Sequence, residues 1–159
     1  MRSSRHTRAA RSWLAAALCA LALATAPSAC GRADAAVDDE LEVKLGMAPR
    51  DVRDRFAQSE GGTWAVRAGG GEDLVIDWTG TPTSRFERAT FEFHLGMLVA
   101  ARAVTKPGAP GPLGVSVTPV SVRAREASPD GRVGVTLLSR DCPNHKEEVA
   151  KLAARATAP

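Results

Sequence analysis

Apolar and polar residues alternate through much of the chain after residue 62, and this alternation restricts the fold more than any other feature. A period of two residues is typical of a β-strand with one buried face. Between Glu72 and Thr79, one face carries Leu74, Ile76 and Trp78. Further on, Phe91 and Phe93 alternate with polar residues before Leu95-Gly96 turns the chain. The pattern predicts an antiparallel β-meander.

The alternation changes phase at a proline. Val115 and Val117 are odd-numbered, whereas the apolar positions beyond Pro119 are Val120 and Val122. We interpret this change as a bulge or an edge strand, because proline cannot donate to a sheet ladder. The tetrapeptide Ser128 to Gly131 fits a type I turn, with proline second and glycine last.

Two helices complete the prediction. The first spans about residues 48–59, where Pro49 suits the first helical position and Val52 and Phe56 share one face. The second spans about residues 143–156 and carries an apolar stripe that includes Val149 and Leu152. The expected fold is a single α+β domain over residues 41–157. It has a short N-terminal helix, an antiparallel β-meander of about five or six strands, and a C-terminal helix closing one face.

The N-terminus resembles an export signal. Four arginines and no acidic residue precede Trp13, and the apolar run to Ala26 is about 14 residues, too short for a transmembrane helix. Residues 1–29 are therefore predicted to be a signal peptide of the lipoprotein type, and residues 30–40 a flexible tether. The expected location is the cell envelope, with the chain anchored to a membrane or, alternatively, soluble in the periplasm or secreted.

Three fates are open for Cys30. The sequence Ala26 to Gly31 can act as a lipobox, so that the mature chain begins at an acylated Cys30. Cleavage at Ala33-Asp34-Ala35 would instead remove Cys30 with the leader. A third alternative is a disulfide with Cys142 in an oxidising compartment.

Charge argues against a nucleic-acid partner. Without the four leader arginines, 17 of the 21 basic residues remain against 18 acidic ones. A phosphate-binding surface needs an excess of Lys and Arg, and the chain has no tyrosine for base stacking.

Cys142 and His145 form the constellation that most suggests chemistry, whereas Asp73 and Asp77 are expected to lie on a solvated strand face opposite Leu74, Ile76 and Trp78. A thiol at a helix N-terminus has a lowered pKa, and a histidine three residues later could act as its base. The alternative interpretation is a buried cysteine at a capped helix. Metal binding would need His94 or a carboxylate as well, and one C-x-x-H pair lacks the second pair of ligands. We therefore expect no cofactor and no metal.

The segment from Lys44 to Phe56, with Gly46, Met47 and Val52 in fixed spacing, resembles the opening of the BamE/SmpA/OmlA family of outer-membrane lipoproteins. The segment from Phe91 to Val99 is similar to that family's strand, glycine turn and strand. The resemblance covers about residues 42–104. It implies fold-determining roles for Gly46, Met47, Val52, Phe93 and Gly96, and it transfers no binding residue.

The expected function is a non-enzymatic envelope module that is tethered to a membrane through Cys30 and binds another envelope protein. Trp64 or a free sheet edge could supply the contact. The alternatives are a secreted inhibitor or binding protein, and a small thiol- or metal-dependent enzyme using Cys142 and His145.

Overall fold

The computed structural model describes residues 36–58, 60–68 and 72–157. The predicted signal peptide, Cys30 and the first part of the predicted tether lie outside these residues. Within the described ranges, no helix combines the length and apolar character needed to cross a membrane.

One antiparallel sheet of seven strands forms most of the described chain. Helix α1 (Pro49–Arg55) precedes the sheet, and a 3-10 turn (Pro143–His145) leads into helix α2 (Lys146–Ala156) after it. The strands are β1 (Gly62–Ala68), β2 (Asp73–Gly80), β3 (Phe86–His94), β4 (Met97–Thr105), β5 (Gly114–Val117), β6 (Ser121–Ala127) and β7 (Val133–Ser139).

The predicted fold class is wrong, because the chain is mostly sheet and has seven strands rather than five or six. The difference arises at Pro119. Instead of a bulge within one strand, residues 118–120 form a tight reversal in which the amide of Thr118 donates to the carbonyl of Ser121 at 2.9 Å. The change of apolar phase there marks the junction of two strands, β5 and β6.

The strand order also departs from a simple meander. The order across the sheet is β1-β2-β3-β4-β7-β6-β5, so β7 inserts beside β4 and β5 lies at the far edge. The Pro- and Gly-rich loop after Thr105 carries the chain past two strand positions. Strands β4 to β7 therefore form a Greek key, in which a long connection joins one strand to a three-stranded meander.

The two helices cover opposite faces of the sheet. Val52 and Phe56, at α1, pack on the face that carries Trp78 and Phe91. Val149 and Leu152 of α2 pack on the other face over strands β5 and β6, in a cluster that Ala100 of β4 and Leu138 of β7 complete. The first helix ends at Arg55, earlier than predicted, because Phe56 is extended and turns into the core and Ala57 has a φ of 48°.

The residues before α1 are held against the sheet. Asp38 is buried, its amide donates to the carbonyl of Val43 at 2.8 Å, and its carboxylate accepts from Arg123. Glu40 accepts from Arg123 at 2.6 Å and pairs with Arg125 at 3.3 Å. Asp38 and Glu40 thus contact strand β6, although the sequence places them in the predicted tether.

Candidate functional site

Strand β1 forms one edge of the sheet and is long for an edge strand. It runs for seven residues without a proline, whereas β5 at the other edge has four residues and is followed by Pro119. Natural proteins usually shorten an edge strand or interrupt it with proline or charge, because unpaired backbone groups recruit another strand. Strand β1 has less of this protection than β5.

An open groove lies between β1 and helix α1. The floor is apolar and the rim beside α1 is charged. Its lining includes Pro49, Arg53, Trp64, Val66, Leu74 and Ile76, and Arg50 and Asp54 complete the rim. Arg50 and Asp54 approach each other to 3.7 Å. The groove thus offers an apolar floor next to two arginines and one aspartate.

Aromatic packing fixes the position of Trp64 in this groove. Its ring lies 6.2 Å from the ring of Phe56 and 5.7 Å from that of Phe91, between ring centroids. On its other side, the guanidinium of Arg53 lies 5.8 Å from the centroid of the indole. Trp64 is therefore half-buried and rigid, and it forms part of the groove floor.

Val66, rather than Trp64 as predicted, exposes an apolar side chain on strand β1. It shares the sheet face of Trp64 and pairs across the strands with Ile76. Its side chain is 64% exposed, the highest value among the large exposed hydrophobic residues of the described chain. An isolated exposed valine is ordinary, but one on an edge strand beside an apolar groove indicates a contact surface.

The opposite face of strands β1 to β4 carries polar side chains that hydrogen-bond to one another. Arg67 donates to Asp77 at 2.7 and 2.8 Å, and the hydroxyl of Thr90 donates to the same carboxylate at 2.9 Å. The Arg67 hydrogen bond holds the pKa of Asp77 below its usual range. His94 lies 2.6 Å from Asp73. Asp73 thus contacts the imidazole of His94, and Asp77 contacts the guanidinium of Arg67. Both carboxylates belong to a solvated face whose charged groups are paired.

The Cys142 and His145 pair occupies a buried corner beside this polar face. Cys142 is 0% exposed and packs against Val99. The imidazole of His145 is also buried, and its two nitrogens lie 3.5 Å from Glu92 and 3.8 Å from Glu148. A wholly buried thiol offers no surface to a substrate.

Arg102 separates the two carboxylates beside His145. It pairs with Glu92 and, at 2.6 Å, with Glu148. A guanidinium therefore occupies the position that a cation would need. Among the residues with described coordinates, no group of three or more His, Cys, Asp or Glu side chains is arranged to hold a metal ion.

The residues of the family-like motif lie in and around the main core. Met47, Val52 and Phe93 are buried. Gly46 has a φ of 85°, and its amide donates to the carbonyl of Leu98 at 2.9 Å. Gly96 has a φ of 74° in the β3–β4 turn. These positions shape the backbone and the core, and they lie outside the groove beside β1.

Sequence reasoning missed Arg125, which is buried and holds the β4–β5 loop. Its guanidinium donates to the carbonyls of Pro110 and Gly111, the latter at 2.6 Å, and its Nε lies 3.3 Å from Glu40. In the alternation of strand β6, Arg125 falls with Ser121 and Arg123 in the polar set, opposite Val122 and Ala124. The pattern therefore carried no signal that Arg125 is buried or that it holds this loop.

Comparisons with protein-family models, with curated proteins and with solved structures found no match to this chain.

Proposed function

We propose that this chain is an exported, lipid-anchored, non-enzymatic module that binds another envelope protein along strand β1. The observation that carries the proposal is the unblocked seven-residue edge strand with Val66 exposed beside an apolar groove. The leader and the lipobox-like sequence before Cys30 support an envelope location.

The occupant we propose is an extended segment of a partner protein. Such a segment adds to a sheet edge through main-chain hydrogen bonds, and alternate side chains reach the same face. Here those side chains would lie over Val66 and the groove floor. Because Arg50 and Arg53 outnumber Asp54 on the rim, an acidic residue in the segment complements the end nearest α1.

A photo-crosslinking residue at Ala65, an exposed position on β1, tests this proposal in intact envelopes. We expect one partner to be captured, and mass spectrometry of the linked peptide to show apolar residues at alternate positions. Val66→Lys places a charge on the edge and should abolish capture. Leu113→Lys, an exposed apolar position directly before the opposite edge strand β5, is the matched control and should leave capture unchanged.

Both lysine substitutions are at exposed positions, so their unfolding curves should match that of the unmodified chain. Capture that survives Val66→Lys, or that falls equally with Leu113→Lys, would contradict binding along β1. The lipid anchor is tested separately by the intact mass of the mature protein. We expect a chain that begins at Cys30 and carries acyl groups.

A further inference from the structure

The chain enters the described structure at one defined end of the sheet, which we call the tether end. This end carries the β3–β4 turn (Leu95 and Gly96), the β5–β6 turn (residues 118–120) and the entry residue Ala36. Ala36 and Val37 line the same cleft as Thr118 and Pro119. The buried contact of Asp38 with Arg123, close to the start of β6, fixes the chain there.

The tether end contains an unusual hairpin tip. Leu95 has a φ of 52° and Gly96 a φ of 74°. A two-residue turn with both φ angles positive normally carries Asn-Gly or Asp-Gly, because a bulky side chain is strained in this conformation. The strain of a left-handed leucine is about 1–2 kcal/mol. Leu95 is 36% exposed, so its partial burial in the protein offsets part of this strain and about a third of its surface remains free for a further contact.

Exposed apolar side chains concentrate at the same end. Three of the five large exposed hydrophobic residues of the described chain lie there, with Val37 at 43%, Val117 at 40% and Leu95 at 36% exposure. Register places Val117 with them, because its cross-strand row runs through Val122, Leu138 and Ala100 to the start of β4. Leu113, near the opposite end, provides a reference position.

The length of the tether limits how far this end can lie from an anchored lipid. Five residues separate Cys30 from Ala36. At about 3.5 Å for each step, even a fully extended chain spans only about 20 Å. Glu72, Asp73 and Asp141 at this end are acidic and Arg140 is basic, so apolar contact rather than attraction to anionic lipid would dominate there.

We propose that the tether end lies on the lipid surface, with Leu95 and Val117 entering the interface between headgroups and acyl chains. This placement rests on the lipid anchor at Cys30 in the proposed function. The exposed part of the Leu95 side chain would then be buried in lipid, which offsets the strain that its partial burial in the protein leaves. Strand β1 would then run away from the membrane and present its edge to a partner.

Fluorescence quenching on vesicles tests this placement. The acylated full-length mature chain is reconstituted into phosphatidylcholine vesicles, with a polarity-sensitive label on Leu95→Cys, Val117→Cys or Leu113→Cys. The native Cys142 is fully buried and should not compete for the label. We expect brominated acyl chains to quench the labels at 95 and 117 at least twofold and to leave the label at 113 unchanged.

Each outcome decides a different point. Acylated protein with an unquenched label at 95, or with equal quenching at 113, overturns the placement and leaves the anchor intact. A mature mass without acyl groups overturns the anchor and the placement together. As a second variant, Leu95→Asn removes the apolar tip, and quenching of the label at 117 should become weaker. Unchanged quenching at 117 in that variant would contradict a role for Leu95.

Discussion

Asp38 is the residue whose replacement most directly tests how the N-terminal segment is held. Its side chain is 4% exposed. One carboxylate oxygen accepts from the amides of Glu40 and Leu41 at 3.1 and 2.8 Å, and the other accepts from Arg123. Asp38→Asn keeps an acceptor for the amides but removes the charge opposite Arg123. Asp38→Ala removes both interactions.

The expected losses follow from these contacts. A hydrogen bond to a charged group contributes about 1.5–3 kcal/mol, and Arg123 keeps Glu40 as a partner, so Asp38→Asn should cost about 1.5 kcal/mol. Asp38→Ala also leaves two amides without acceptors, at about 1 kcal/mol each, for a total of about 3–4 kcal/mol. At about 4 °C per kcal/mol, Tm should fall by about 6 °C and about 14 °C.

Urea and thermal unfolding, followed by the fluorescence of Trp64 and Trp78, measure these losses. Asp39→Asn is the matched control, because Asp39 is exposed and its replacement makes the same change in charge. We expect the control to change stability by less than about 0.5 kcal/mol. An Asp38→Asn variant as stable as the control would refute the role assigned to the Arg123 contact. An Asp38→Ala variant no worse than Asp38→Asn would refute the role of the two amides.

Three further predictions address the turn, the polar face and the thiol. Leu95→Asn should have a free energy of unfolding about 0.5–1 kcal/mol higher than that of Leu95→Ala, because both variants lose the partly buried leucine and only asparagine tolerates positive φ; equal stability of the two variants in urea unfolding would contradict the strain at this turn. The Arg67 hydrogen bond lowers the pKa of Asp77 from the ordinary 3.8. The stabilisation that this hydrogen bond gives the folded chain is therefore present above pH 3.8, and it is lost as the pH falls through the lowered pKa of Asp77 in the folded state. The unmodified chain should therefore be slightly more stable than Asp77→Asn at pH 7, and this difference in the free energy of unfolding should narrow below pH 3.8; a difference independent of pH in denaturant titrations would argue against it. Cys142 should react slowly with iodoacetamide in the native chain and rapidly in urea, since it is fully buried; rapid native alkylation would restore the reactive-thiol hypothesis.

Local pattern predicted the local structure of the sheet. Ile76 and Trp78, which the alternation placed on one face, are buried together in the main core. The turn at Ser128 is confirmed by the hydrogen bond from the amide of Gly131 to the carbonyl of Ser128 at 3.0 Å. The predicted number of strands was wrong at Pro119. Of the two alternatives there, the edge strand is confirmed, because β5 lies at the edge of the sheet, and the bulge is wrong, because the change of apolar phase marks a reversal.

Long-range pairing was not predictable from the pattern. A two-residue period assigns a side chain to a face, but it does not say which strand lies next to which. The insertion of β7 beside β4 and the contact of Asp38 with Arg123, 85 residues apart, depend on the whole sheet. The groove beside Val66 was missed for a related reason. It lies between α1 and strands β1 and β2, and a periodic pattern does not say how a helix sits against a sheet.

The position of β7 has a consequence for how the chain is made. Strand β4 is synthesised about 30 residues before the strand that covers it, and it carries the apolar run Met97 to Ala101. Until residues 133–139 emerge from the ribosome or a translocation channel, this interior strand is an uncapped edge that can pair with other nascent chains. Holdase chaperones should therefore matter most for this protein late in its synthesis. A premature stop before residue 133 should produce aggregates rather than a smaller soluble domain.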